Sequence, residues 1–243
     1  MRAAVRRGDA DESGLEVVVA ELTADEGWTA AAAGCAEVHH VASPMVQTDD
    51  PDEVIVPARE GTIRALRAAR DAGARRVVLT SSFAAVGYSP KPDAEYTEAD
   101  WTDPDMPGLP AYPRSKAIAE RAAWDFIERE GGETELVVVN PTFILGPTLT
   151  TQVRSSSQLT KAMLDGTMPV VRRQRFDVAD VRDVADLPSV RWPRPRPPAS
   201  ASWRWRTDRR SASWRWPRSC ASGSARWQSE CRPKKRPDRS RRD

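Results

Sequence analysis

Residues 61–86 read GTIRALRAARDAGARRVVLTSSFAAV, and this stretch decides the fold. Its first half places Ile63, Leu66 and Ala69 near one face of a helical repeat and stops at Asp71-Ala72-Gly73, a helix end. Its second half, 75–82, is a short aliphatic run closed by two serines, which reads as a buried parallel strand. A helix that feeds straight into such a strand is half of a βαβ unit.

The same alternation extends outward in both directions. EVVVA (16–20), AEVHHVA (36–42) and ELVVVN (135–140) read as further buried strands. DEGWTAAAAG (25–34), the run 51–73, which adds Val54 and Ala58 to the apolar face, and AYPRSKAIAERAAWDFIEREGG (111–132) read as helices. The predicted class is therefore α/β, a Rossmann-like doubly wound parallel sheet. Functional groups in such sheets gather at the carboxyl ends of the strands, here Ala42-Ser43-Pro44, Ser81-Ser82 and Asn140-Pro141-Thr142.

The 243 residues carry a net charge of +2, but the two ends of the chain differ. Residues 1–187 hold 20 basic and 31 acidic side chains, whereas 188–243 hold 17 basic and 4 acidic. The second segment has six tryptophans and eight prolines, lacks Leu, Ile, Met and Phe, and is expected to be disordered because it has too little to bury. The expected organisation is a 1–187 partial nucleotide-binding domain and a 188–243 basic Arg/Trp/Pro-rich tail. Cys35, Cys220 and Cys231 show no metal or disulfide spacing. With no secretory signal and no apolar run of the roughly 18–20 residues that span a bilayer, a cytoplasmic location and no membrane partner are expected. The tail's guanidinium and indole groups would bind single-stranded nucleic acid weakly through charge and stacking, but no specific nucleic-acid role is expected.

Chemistry concentrates on Tyr112 and Lys116, four residues apart and so on one helix face. A phenol titrates near 10, and a neighbouring ammonium favours the phenolate. A strand-end hydroxyl, Ser82 or its neighbour Ser81, is placed to hold a substrate carbonyl while the phenol gives it a proton. Such pairs also occur on ordinary helices, and serines after strands are common turn residues; it is their combination with a following strand ending in Asn-Pro that singles out this site. His39 and His40 read as strand-end residues rather than metal ligands, so no metal is expected. Trp124 reads as core, and DAEYTEADWTDPD (93–105) as a solvated loop on the substrate side. Pro113 requires Tyr112 to lie at or before the first helical turn.

HVASP (40–44), residues 61–86, YPRSK (112–116), AERAAWDF (119–126), VVVNPTFILGP (137–147) and DVRDVADL (180–187) resemble, in order, the extended short-chain dehydrogenases/reductases of the NAD-dependent epimerase/dehydratase superfamily. The dihydroflavonol reductase, cinnamoyl-CoA reductase and NADPH-dependent aldehyde reductase group is the most similar. The resemblance implies an NAD(P)-dependent oxidoreductase that reduces a small-molecule carbonyl, with NADP(H) favoured over NAD(H). It implies catalytic Ser82, Tyr112 and Lys116. It further implies a cofactor lined by Arg6, Glu21, Leu22, Ala42, Ser43, Tyr112, Lys116, Asn140, Pro141 and Thr142, with Arg6 toward a 2′-phosphate. Glu21-Leu22 replaces the family's usual Asp-Leu. The rival within the family is a sugar-nucleotide epimerase or dehydratase with tightly held NAD.

The family's opening strand and G-x-x-G-x-x-G phosphate turn do not occur in this sequence. The expectation is that Met1 is an internal or misassigned start, or that the gene is truncated, and that turnover of this form is impaired or absent. The likeness also ends at Leu187, where composition changes within one residue. Read one base out of register from Pro188 with GC-rich codons, DLPSVRWP becomes Asp-Leu-His-Gln-Arg-Ala-Leu-Ala, and later Trp/Arg stretches become Leu-Ala-Leu strings of helical period. A frameshift is the expectation, and the coding DNA tests it. Restoring one base near codon 188 should open a frame with those words; a frame without them discards the idea.

Overall fold

Three of the apolar runs pair side by side in the computed structural model, which describes residues 14–44, 46, 48–91, 95–148, 155–168 and 177–186. Strands β1 (Glu37–His40), β2 (Arg76–Thr80) and β3 (Glu135–Val139) form a parallel sheet in that order. Val77 lies between Val38 and Leu136 in register, and Leu79 between His40 and Val138. At the amino ends of the strands, Arg76 joins all three, with Nη2 2.9 Å from Glu135 and Nη1 3.9 Å from Glu37.

Helix α1 (Trp28–Ala32) precedes β1, α2 (Asp52–Asp71) links β1 to β2, and α3 (Ala111–Glu130) links β2 to β3. Acidic Asp52 and Glu53 occupy the first turn of α2 and Arg70 its last, the arrangement favoured by the helix dipole. Both long helices bury their apolar stripes on one sheet face. Leu66 and Ala69 of α2 meet Ala123 and Phe126 of α3 over Val77, Leu79 and Leu136. This α/β core of parallel βαβ units is the predicted class.

The strand expected at 16–20 does not form. A strand needs a neighbour for its amides and carbonyls, and none of the described residues pairs with this segment. Val17 and Val19 are exposed instead, and two glycines approach residues 19–22 closely. Gly27, at φ +85°, brings its Cα so near the Val19 carbonyl that a Cβ would lie 2.0 Å from the oxygen. Gly61 does the same for Leu22, whose Cδ2 would lie 2.5 Å from an added Cβ. The helix expected at 25–34 is confined to the five residues of α1.

A second, two-stranded parallel sheet pairs β4 (Phe143–Leu145) with β5 (Val178–Asp180), neither foreseen as a strand. Helices α4 (Ser155–Leu164) and α5 (Val181–Asp186) flank it. No helix among the described residues is long and apolar enough to cross a membrane. Arg6 and the tail from 188 lie outside the described residues.

Leu66 is 1% exposed at the centre of this core. Leu66→Ala should lower unfolding free energy by about 2–5 kcal/mol, the range for cavities left by buried leucines. Urea denaturation checks it, and a loss below about 1 kcal/mol would mean that α2 does not pack as described.

Candidate active site

The pairing of β2 with β3 continues past both strands. Ser81 N donates to Val139 O and Phe83 N to Pro141 O, each at 2.9 Å. The two serines therefore leave the sheet edge in fixed and different settings. Ser81 is buried, whereas Ser82 is half-buried and caps the short 3₁₀ turn Phe83–Ala85, its Oγ accepting from Ala84 N at 3.2 Å.

Helix α3 begins at Pro110, which puts Tyr112 and Pro113 in its first turn. First-turn amides have no intrahelical acceptor, so the proline costs no hydrogen bond there. Tyr112 is 38% exposed, while Lys116, one turn on, is 8% exposed with its Nζ 5.8 Å from the Tyr112 ring centre. The helix thus carries the pair from the surface into the interior.

A small cavity lies beneath the strand ends. Ala42 and Ser43 line it from beyond β1, Thr80 and Ser81 from the end of β2, Thr62 from α2, and Lys116 and Glu120 from α3. Burial pulls the Lys116 amine down to about 8, while the Glu120 charge pulls the other way. Burial pushes the Glu120 carboxyl up, against hydrogen bonds from Ser81, Asn140 and Trp124 and the attraction of Lys116. With its nitrogen facing the acceptors around it, the Asn140 amide donates to Glu120 Oε2 at 3.0 Å and to Val139 O at 3.3 Å. On the far side of the cavity, burial and then the Lys116 charge lower His40 to about 4. Its ring stands edge-on to Trp28 at 6.2 Å, with Nε2 3.4 Å from Thr62 Oγ1. His40 is a neutral core residue; His39 is exposed at the strand end.

The structure brings together Ala42, Ser43, Ser81, Tyr112, Lys116 and Asn140, with Ser82 and Pro141 on the adjoining backbone. Thr142 follows, half-buried, at the start of β4. Glu21 and Leu22 belong to a different place, against α1 and α2. Trp28 Nε1 donates to Glu21 O at 2.9 Å, and Arg64 Nη1 to Leu22 O at 2.8 Å.

Three residues were missed by sequence reasoning. Glu120 extends the four-residue spacing of Tyr112 and Lys116 by one step, and that signal was legible. Thr102 is fully buried in the loop read as solvated. Its Oγ1 donates to Ala84 O at 2.8 Å and accepts from Tyr88 N at 3.0 Å, clamping the loop to the turn after Ser82. The same loop is tied by Lys91 to Asp100 at 2.8 Å and by Arg121 of α3 over Trp101. Burial, followed by the charge of the Tyr112 phenol, pushes the Tyr88 phenol up. Trp124 edges the core as expected, but its indole also serves Glu120.

The chain as a whole is similar to known proteins. Cinnamoyl-CoA reductase 1 of Petunia hybrida is 39% identical over 156 residues, 63% of this chain and 46% of the relative. Anthocyanidin reductase ((2S)-flavan-3-ol-forming) of Vitis vinifera is 36% identical over 162 residues, 63% of this chain and 47% of the relative. The yeast methylglyoxal/isovaleraldehyde reductase complexed with NADPH superposes with a TM-score of 0.55 at 26% identity, covering 68% of this chain and 56% of that one. The chain spans about half the length of the curated relatives it matches. Residues 2–189 match the model of one family, and the chain belongs to it: the NAD dependent epimerase/dehydratase family.

Proposed function

We propose that this chain carries the catalytic half of an NAD(P)H-dependent oxidoreductase that reduces the carbonyl of an aldehyde or ketone, of the size of a dihydroflavonol. The observation that carries the reading is a buried, cationic Lys116 beside a surface-reaching Tyr112 at the carboxyl ends of parallel strands. That sheet edge is where α/β folds bind dinucleotides.

The donor set fits the nicotinamide-ribose end of such a cofactor. An ammonium offers three N–H donors, and Ser43 lines the same cavity, a match for a ribose diol. Lys116 and Tyr112 would hold that ribose, with Ala42 and Ser43 along it and Asn140, Pro141 and Thr142 beside the ring. Glu21 and Leu22 would serve the adenosine end, with Arg6 at a 2′-phosphate and hence NADP(H) preferred. When bound, the reduced cofactor supplies a hydride to the carbonyl carbon.

The chain's own groups do the rest. Tyr112 gives its phenolic proton to the carbonyl oxygen as the C–O bond becomes single, and the Lys116 cation stabilises the phenolate left behind. Ser82 orients the carbonyl through its hydroxyl. It is preferred over Ser81 because Ser81 is buried, whereas Ser82 is half-buried and keeps a hydroxyl proton to donate.

Loss of NADPH absorbance on addition of aldehydes and ketones tests the reading, and an epimerase or dehydratase would not consume the cofactor. Tyr112→Phe should lower turnover by about 10²–10⁴-fold while leaving NADPH binding, followed by fluorescence, in place. Ser82→Ala should cost turnover without loss of stability. The reverse ranking, with Ser81→Ala the more damaging to turnover in a folded chain, would reassign the hydroxyl.

Lys116 supplies a pH signature. Its proton is lost as pH rises through about 8, so the rate should fall on that alkaline side. Between about 8 and the ordinary value of 10.5 the unfolded chain binds more protons than the folded one, so stability should rise with pH over that window. Lys116→Met should abolish both dependences, as read from rate profiles and urea midpoints. A variant that keeps the alkaline fall would assign it to another group.

A further inference from the structure

Tyr112, Lys116, Glu120 and Trp124 follow one another at four-residue spacing along a single face of α3. The first two face the reacting end of the site; the third has no part in the chemistry above. Its setting is unusual for a carboxylate. Glu120 is 4% exposed, lines the same cavity as Lys116 and Ser81, and accepts from the Asn140 amide beyond β3 at 3.0 Å. A buried carboxyl group bonded to the chain of another element has little freedom to move.

Lys116 needs such a neighbour. A buried ammonium without a counter-charge either loses its proton or swings its flexible arm toward water. Among the described residues, Glu120 is the one charge acting to keep the amine protonated. The other titratable groups facing the pair are His40 from β1, neutral through its burial, and Tyr112 from α3 itself. The cavity wall from α2 contributes Thr62, and the ends of β2 and β3 contribute Ser81 and Asn140, none of which ionises near neutrality.

We propose that Glu120 is a positioning residue for Lys116: its carboxylate, anchored by Asn140 beyond β3 and lining the same cavity one helical turn away, supplies the negative charge that holds the amine under the site. The end of β3 thereby bears on the place of the helix-borne lysine, and the sheet edge and catalytic helix are joined through one charge. The functional consequence rests on the reading that Lys116 supports Tyr112; the electrostatic coupling does not.

The test uses the full-length chain with lysine side chains labelled with ¹³C at Cε, titrated by NMR. In Glu120→Gln, which keeps the shape and removes the charge, the Lys116 midpoint should fall by about one pH unit, tenfold in the protonation constant. In Lys116→Met, titrated through ¹³C-labelled glutamate carboxyls, the Glu120 midpoint should rise, since the coupling is mutual. An unmoved midpoint in either folded variant overturns the proposal, and if Glu120→Gln does not fold, Lys116→Met decides alone. A purely structural Glu120 would lower the urea midpoint of Glu120→Gln and leave Lys116 unmoved. In the reductase assay, the alkaline fall in rate should move to lower pH by the same interval in Glu120→Gln. Failure of the unaltered chain to bind NADPH counts against the proposed function, whereas the NMR titrations still decide the coupling.

Discussion

The register between β2 and β3 is the constraint on which the rest of the site depends. Once Val77 opposes Leu136 and Leu79 opposes Val138, the ladder runs on to Ser81 and Phe83 against Val139 and Pro141. A slip of one residue would reverse every side chain, sending Val77 and Leu79 out of the core and turning Ser81 away from Glu120. Arg76 reinforces the register from the other end by bonding Glu135 and approaching Glu37. Helix α3 is tied to the same frame twice, through Ala123 and Phe126 in the core and through Glu120 at the strand ends.

Placing an amine and a carboxyl inside this frame has a cost. Each is desolvated, and each is pushed toward its neutral form. Mutual attraction and the Asn140 hydrogen bond to Glu120 offset that cost. Pairs of this kind add little to stability compared with an apolar pair of equal volume, but removing one partner leaves the other unpaired. Their value here is directional: a lysine arm with four rotatable bonds is held where a phenol on the preceding turn can feel its charge.

The core was largely legible because its signals are local. Leu66, Ala69, Ala123 and Phe126 repeat at helical spacing, and Val77 and Leu79 lie in a short β-branched and aliphatic run, so helix, strand and buried face follow together. The segment 16–20 carries an equally strong strand signal, yet strands exist only in pairs, and this segment finds no partner among the described residues. The loop before α3 misled for the opposite reason. Its acids and prolines suggest solvent, but one buried threonine, Thr102, accepts and donates across to the turn after Ser82 and holds it in place.

By itself the sequence determined the parallel α/β class, the family, and the pairing of Tyr112 with Lys116, since helical periodicity puts residues four apart on one face. Tertiary structure alone decided that Ser81 is buried and Ser82 half-buried, because that depends on which side of the sheet edge each hydroxyl leaves. It also decided that His40 is neutral core and that Glu120 underlies Lys116. Burial and long-range charge set both, and no local pattern in a chain records how deeply a residue will be covered.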